Sequence, residues 1–196
     1  MEREAAGRWR AGLRSIAGRL VTLREFRSSD APSLFASLTT DQVTGLISPP
    51  PTTAEGFEKF IVWTHRQRAE GLYVCFAVVP RGSDEAVGLI QVRTLTTDFA
   101  TAEWGFALGS QYWGSGMFAE AAELTLQFVF DVVGVRRLEA RAALANGRGN
   151  GALQKIGAKQ EAVLRAAFMH RGEFLDQALW TILESEWRMR TKFVWA

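Results

Sequence analysis

The residues best placed to do chemistry are Gln111-Tyr112-Trp113-Gly114-Ser115-Gly116-Met117-Phe118-Ala119-Glu120. A strand-like run, Thr101 to Leu108, leads into this stretch. Met117, Ala121, Leu124, Phe128 and Val132 recur at helical spacing on the way out, which predicts a buried helix over Met117 to Val133 closed by Gly134. Strand, glycine turn, helix is an anion-binding order. The first amides of a helix have no intrahelical partner and the helix dipole is positive there. Glycines at 114 and 116 let a phosphate approach the backbone with no Cβ in the way. The stretch therefore points to a phosphorylated cofactor. In the strand before it, Ala102, Trp104, Phe106 and Leu108 form a bulky apolar face. Thr101, Glu103, Gly105 and Ala107 form a small face with a single carboxylate.

The elements that must position this turn are legible along the chain. Leu20 to Phe26 reads as a first strand, followed by a short helix with Pro32 in its first turn. Asp41 to Thr53, with Gly45 and Pro49 to Pro51, reads as loop. A helix follows over Ala54 to Glu70; its His65 has no second ligand nearby and reads as a surface or packed residue. Tyr73 to Val79, Ala86 to Thr94 and Thr101 to Leu108 are strands joined by connections too short for crossover helices, so they are antiparallel neighbours. Arg137 to Leu144 is the next strand. Asn146 to Gly151 is a loop opening a short helix over Ala152 to Ile156. Gln160 to Met169 and Gln177 to Leu183 are strands around the turn at His170 to Glu173, and Glu184 to Arg190 is a terminal helical turn.

Composition narrows the class. At 196 residues the chain reads as one domain, residues 19–190, with an arginine-rich, loose or partly helical extension (1–18) and a tail (191–196). A net charge of +2 gives little support for a nucleic-acid partner. No run approaches the length of a membrane span. The lone cysteine, Cys75, excludes a disulfide within one chain and favours a reducing, cytoplasmic compartment. The apolar, tryptophan-rich composition is compatible with a homodimer.

Rival glycine motifs can be tested. A P-loop needs Lys and Ser/Thr after its last glycine, and Met117-Phe118 stands there instead. Gly114 to Ala119 satisfies G-x-G-x-x-A, with Glu139 on the next strand in the place of a ribose acid. A dinucleotide-binding oxidoreductase, however, sets that unit among parallel βαβ units, and here an antiparallel meander precedes it.

At these residues the chain resembles the GNAT superfamily of N-acetyltransferases. Gln111 to Gly116 matches its Q/R-x-x-G-x-G/A signature. Trp113 before the first motif glycine, and Asn146 through Leu153-Gln154-Lys155-Ile156-Gly157-Ala158, resemble the ribosomal-protein N-terminal acetyltransferase branch. The resemblance covers about Arg19 to Arg190. It implies an α/β (α+β) fold: a mixed, mostly antiparallel, splayed central sheet of six to seven strands flanked by about four helices, with acetyl-CoA as co-substrate in the splay. It implies that Gly114, Ser115, Gly116, Met117 and Phe118 hold the pyrophosphate, helped by Gln111, with Trp113 in the motif. The strand edge at Phe106, Ala107 and Leu108 would pair with pantetheine, which is peptide-like and can bind as an added strand. Asn146 or Asn150 would hydrogen-bond the pantetheine arm. No metal is implied.

The implied reaction is direct transfer of acetyl to a primary amine, on a protein N-terminus or a small molecule. Glu103, beside the thioester, is the base candidate, acting through a water; the competing reading is a salt-bridge partner. Glu85 and Glu139 rank behind it. The tyrosine that many relatives use as acid, after the asparagine loop, is missing here, since the only tyrosines are Tyr73 and Tyr112. That absence keeps a non-catalytic CoA-binding module open as an alternative. Gly149 stands where the branch often has serine, and Ala158 where it has an aromatic. The acceptor is expected between the loop Asp41 to Thr53 and the final hairpin, where His170 faces either the cleft or solvent.

Overall fold

The computed structural model describes residues 7–45 and 47–194. Its eight strands form one sheet in the order β1-β2-β3-β4-β5-β6-β8-β7. The strands are β1 Ile16–Ala17, β2 Val21–Glu25, β3 Tyr73–Pro80, β4 Gly88–Thr94, β5 Thr101–Leu108, β6 Arg137–Ala143, β7 Lys159–His170 and β8 Glu173–Leu183. The helices are α1 Ala31–Leu38, the single turn α2 Asp41–Thr44, α3 Ala54–Ala69, α4 Met117–Phe128, α5 Gly147–Lys155 and α6 Glu184–Val194. The expected mixed, mostly antiparallel sheet is present, with one more strand, β1, and more helix than anticipated. The β2-β3-β4-β5 meander is antiparallel throughout, which removes the dinucleotide-fold reading.

Alternation along β3 explains the layering. Val74, Phe76 and Val78 enter the core under α4, while Tyr73, Cys75, Ala77 and Val79 enter a second core under α1 and α3. Helices cover both faces, so β3 is buried almost end to end. Cys75 is one of these core residues, and burial pushes its thiol well above the usual range. In α3, His65 is a packed residue, its Nε2 3.1 Å from the carbonyl of Phe26.

Three stretches differ from expectation. Residues 7–18, read as a loose or partly helical extension, put Trp9 and Leu13 into the main core, and Trp9 meets Phe99 edge-on at 5.7 Å; residues 1–6 lie outside the described residues. The stretch read as a tail is helical through Val194, the end of α6. α5 begins at Gly147 rather than near Ala152, because the Asn146 side chain caps it by accepting the Gly149 amide at 2.9 Å.

Candidate functional site

The sheet opens between β5 and β6. These two strands are parallel neighbours only from Thr101↔Arg137 to Glu103↔Glu139. Beyond that point β5 stays paired with β4 as far as Leu108, and β6 stays paired with β8 as far as Ala143. The two halves of the sheet therefore part like a V, with its apex at Glu103 and Glu139. Parity fixes which backbone groups face the gap. The Thr101 carbonyl accepts from Leu95 and the Gly109 amide donates to Val87, so odd-numbered residues bond toward β4. The Ala100 carbonyl accepts from Arg136 and Arg137 on the other side. Hence Phe106 and Leu108 present main-chain groups to the opening, whereas Ala107, expected with them, turns its own toward β4. The Leu108 carbonyl is taken by Trp113 Nε1 at 2.8 Å, which also fixes the indole.

The glycine turn stands at the open end. Gly114 and Gly116 have φ of +77° and +84°, values that a side chain resists. Gly116 is the N-cap of α4 and supplies no side-chain cap. Met117 donates to Ser115 Oγ at 3.3 Å, and Ser115 Oγ itself donates to the Tyr112 carbonyl at 2.6 Å. Ser115 is thus a brace within the turn. The amides of Phe118 and Ala119 have no acceptor among the described residues. Gln111 lies exposed in the short 3-10 turn Ser110–Tyr112.

Two residues of this region had no role in the sequence reading. Glu120, in the first turn of α4, accepts the amides of Arg19, Leu20 and Val21 at 2.8, 2.6 and 2.9 Å. It ties the glycine turn to the β1–β2 hairpin, and a Cβ on Gly18 would lie 2.5 Å from its Oε2. Burial alone would raise the Glu120 pKa. The three amides and Arg19 outweigh it and hold the group below its ordinary value. A depressed carboxylate contributes stability above its unfolded pKa and loses it as pH falls through the folded one. Glu120→Gln is expected to cost about 1–2 kcal/mol at neutral pH, discounted for partial exposure. The cost should begin to shrink below about pH 4.5, where the unfolded chain takes up its proton, and vanish once pH has fallen through the lower folded pKa. A series of melts from pH 7 to pH 3 checks this, and a cost independent of pH would sink it. The second residue is Arg148, in α5. Its guanidinium lies 4.2 Å over the Trp113 ring, and no carboxylate pairs with it among the described residues.

A cleft of about 500 Å³ fills the V. Glu103, Phe106, Ala107 and Asn146 line it, as do Tyr73 and Gln91 from the strands behind. Glu103 Oε2 takes both Arg93 at 2.8 Å and Arg141 at 3.1 Å. The row continues through Glu139, Arg137 and Glu161. Arg137 and Thr181 hold the Glu161 carboxyl down to about 2. Glu103 is therefore a salt-bridge partner that also lines the cleft, and its Oε1 takes no bond among the described residues. The Tyr73 hydroxyl is bonded to Gln91, and burial lifts its pKa far above the usual phenol value. Asn150 is spent internally: Nδ2 donates to the carbonyls of Ala143 and Asn146, and Oδ1 accepts from Trp180 Nε1. It braces β6, α5 and β8, and Asn146 alone of the pair reaches the cleft. Glu85 is in the exposed loop before β4. Pro49 and Pro50 wall the cleft and also a second cavity of about 490 Å³, whose other side is Met169, His170 and Arg171. The proline loop and the final hairpin thus face one another across this cavity. Among the described residues no cluster of His, Cys, Asp and Glu is grouped to hold a metal, and no helix is long and apolar enough to cross a membrane.

Known proteins resemble this chain in sequence and in fold. The uncharacterised N-acetyltransferase p20 of Bacillus licheniformis is 24% identical over 168 residues, which span 85% of this chain and 94% of that protein. The structure of ribosomal-protein-S5-alanine acetyltransferase from Vibrio fischeri matches with a TM-score of 0.78 at 19% identity, covering 89% of this chain and 99% of that one. Mycobacterium smegmatis RimJ in complex with CoA-disulfide matches with a TM-score of 0.78 at 22% identity, covering 89% and 86%. These two structures speak to the fold. The family profile described as an acetyltransferase (GNAT) domain matches residues 20–159, the span from the first hairpin to the start of β7 and so the whole V with its glycine turn, and the chain belongs to that acetyltransferase family.

Proposed function

We propose that the protein transfers an acetyl group from acetyl-CoA directly to a primary amine in the cleft between β5 and β6. The observation that carries this reading is the V itself: an unpaired β5 edge running from Glu103 up to a helix N-terminus opened by two left-handed glycines. The residues suit the co-substrate. The amides from Gly114 to Phe118 form the pyrophosphate cradle, flanked by Gln111 and by Trp113 with Arg148 stacked on it. Phe106 and Leu108 offer main-chain groups to the peptide-like pantetheine arm, as an added strand would need. Asn146 faces the arm from across the gap.

The chemistry then falls at the apex. The amine nitrogen attacks the thioester carbonyl, a C–N bond forms, and the oxyanion is met by a main-chain amide of β5. Collapse breaks the C–S bond and the thiolate leaves. The amine's proton passes through a water to Glu103 Oε1, while Arg93 and Arg141 hold Oε2 and fix the carboxylate. A thiolate leaves without a dedicated acid, so no tyrosine beyond the asparagine loop is required.

A thermal-shift titration with acetyl-CoA, CoA and NADH in parallel tests the co-substrate. At a hundredfold excess over Kd a ligand that binds only the folded state adds about 2.7 kcal/mol, a rise of roughly 5–11 °C for a chain of this size. Stabilisation by NADH alone would sink the proposal. Glu103→Gln is expected to lower kcat about a hundredfold with the KM for acetyl-CoA little changed. A kcat within about threefold of wild type would leave Glu103 as a salt-bridge partner only.

A further inference from the structure

Charge in the acceptor part of the cleft restricts what can enter. We infer that the acceptor is a primary monoamine on an uncharged, largely apolar body, and that polycationic amines are rejected. This rests on the acetyltransferase reading above and names its substrate class.

Among the described residues, the only charged side chains that line the cleft are Glu103, Arg93 and Arg141. The single carboxylate is already shared by both guanidiniums. The neighbouring cavity, across Pro49 and Pro50, adds Arg171 and, among the described residues, no carboxylate. A polyamine or an aminoglycoside carries several ammonium groups spaced along its length. Each beyond the reacting amine needs a carboxylate or a row of carbonyls to replace its water. Here those groups would meet Arg93, Arg141 or Arg171 and one carboxylate whose Oε2 two guanidiniums already share. Like charges brought together in a desolvated site cost several kcal/mol, which is a hundredfold or more in discrimination.

Most of the other lining side chains are apolar, with Ser48, Tyr73, Gln91, Asn146 and Gln177 as the neutral polar exceptions. Phe60 and Phe168 line the same cleft with Pro49 to Pro51, over the fully buried Leu38 and Phe57. Behind them Phe60 stacks on Trp63 at 6.1 Å, and Trp63 meets Tyr73 edge-on at 4.9 Å. Such a wall gains from burying an aromatic or aliphatic body and sets no further carboxylate before a string of cations. One amine at the apex, beside Glu103, is all that the ionised groups can serve.

The test is a competition assay with the full chain and saturating acetyl-CoA. 2-Phenylethylamine, spermidine and kanamycin are mixed in equal amounts and the acetylated products counted by mass spectrometry. The apolar monoamine is expected to exceed either polycation by about 100-fold or more in kcat/KM. Gln177→Glu places a carboxylate on the cleft wall with almost no change of shape. It is expected to raise the use of spermidine relative to phenylethylamine about tenfold. Polycations acetylated as fast as the monoamine, or a specificity ratio unmoved by Gln177→Glu, would overturn the inference. So would no acetylated monoamine while acetyl-CoA still raises the Tm; in that case the co-substrate reading survives. Absence of any shift with acetyl-CoA takes down the co-substrate reading and this inference with it.

Discussion

Gly116→Ala is expected to weaken acetyl-CoA binding about a hundredfold while lowering the Tm by only about 2–8 °C. Gly116 sits at φ +84° as the N-cap of α4. An alanine there pays a left-handed penalty of about 1–2 kcal/mol, and its Cβ would lie 3.3 Å from Leu20 Cδ1. The turn escapes both by rotating out of the left-handed region. Rotation redirects the amides of Met117 and Phe118, which the proposal uses for the pyrophosphate. Two charge-assisted hydrogen bonds are worth about 3 kcal/mol or more together, and that is about a hundredfold in Kd. The strain alone, at 2–4 °C per kcal/mol for a chain of this length, gives the small Tm change.

The control is Gly151→Ala. Gly151 lies within α5, where a Cβ meets nothing within 4 Å, so the substitution should leave affinity unchanged and raise stability slightly. Isothermal titration of both variants with CoA is the measurement. Unaltered affinity in Gly116→Ala would mean that these amides do not hold the phosphates.

The glycine turn was legible in the sequence because its signal is local. Two glycines between a strand and an apolar helical period say the same thing at every level, and β5 and α4 begin where that pattern put them. What stayed hidden depends on neighbours far apart in the chain. Glu103 could be named from alternation, and Arg93 lies opposite it across a hairpin. Its second partner, Arg141, is brought by the single parallel contact of β5 with β6, which no local pattern announces. Arg148 looks like any exposed arginine until Trp113 is found beneath it. The three glycines at 147, 149 and 151 argued for loop, but the Asn146 cap overrode their weak helix propensity. Gly149 has its own reason there: a Cβ would stand 2.7 Å from Asn146 Nδ2. Trp9 and Leu13 were masked by the arginines around them, and burial is a property of the fold they join.

Asp30→Ala is expected to cost about 3–5 kcal/mol, a fall in Tm of about 6–20 °C. Asp30 and Arg24 are 3% and 6% exposed. The pair is bidentate, with both oxygen–nitrogen distances at 2.7 Å. Arg24 also donates to the carbonyls of Asp84 and Glu25, and Asp30 accepts the Arg27 amide at 2.7 Å. The hydrogen bond to Asp30 raises the Arg24 pKa despite burial, so truncating Asp30 leaves a guanidinium charged, buried and uncompensated. The double variant Arg24→Met/Asp30→Leu should recover most of the loss, because removing both charges removes the desolvation cost as well. A loss under about 1 kcal/mol in Asp30→Ala would reduce the pair to the worth of a surface bridge. The damage should also be directional. Asp30 closes the turn into α1, and α1 carries Leu38 behind the part of the cleft wall that the proposal gives to the acceptor. The glycine turn and α4 pack on the opposite face of the sheet. Below its melting range, Asp30→Ala should therefore raise the KM for the amine and leave that for acetyl-CoA close to wild type, an asymmetry that a uniformly loosened fold would not give.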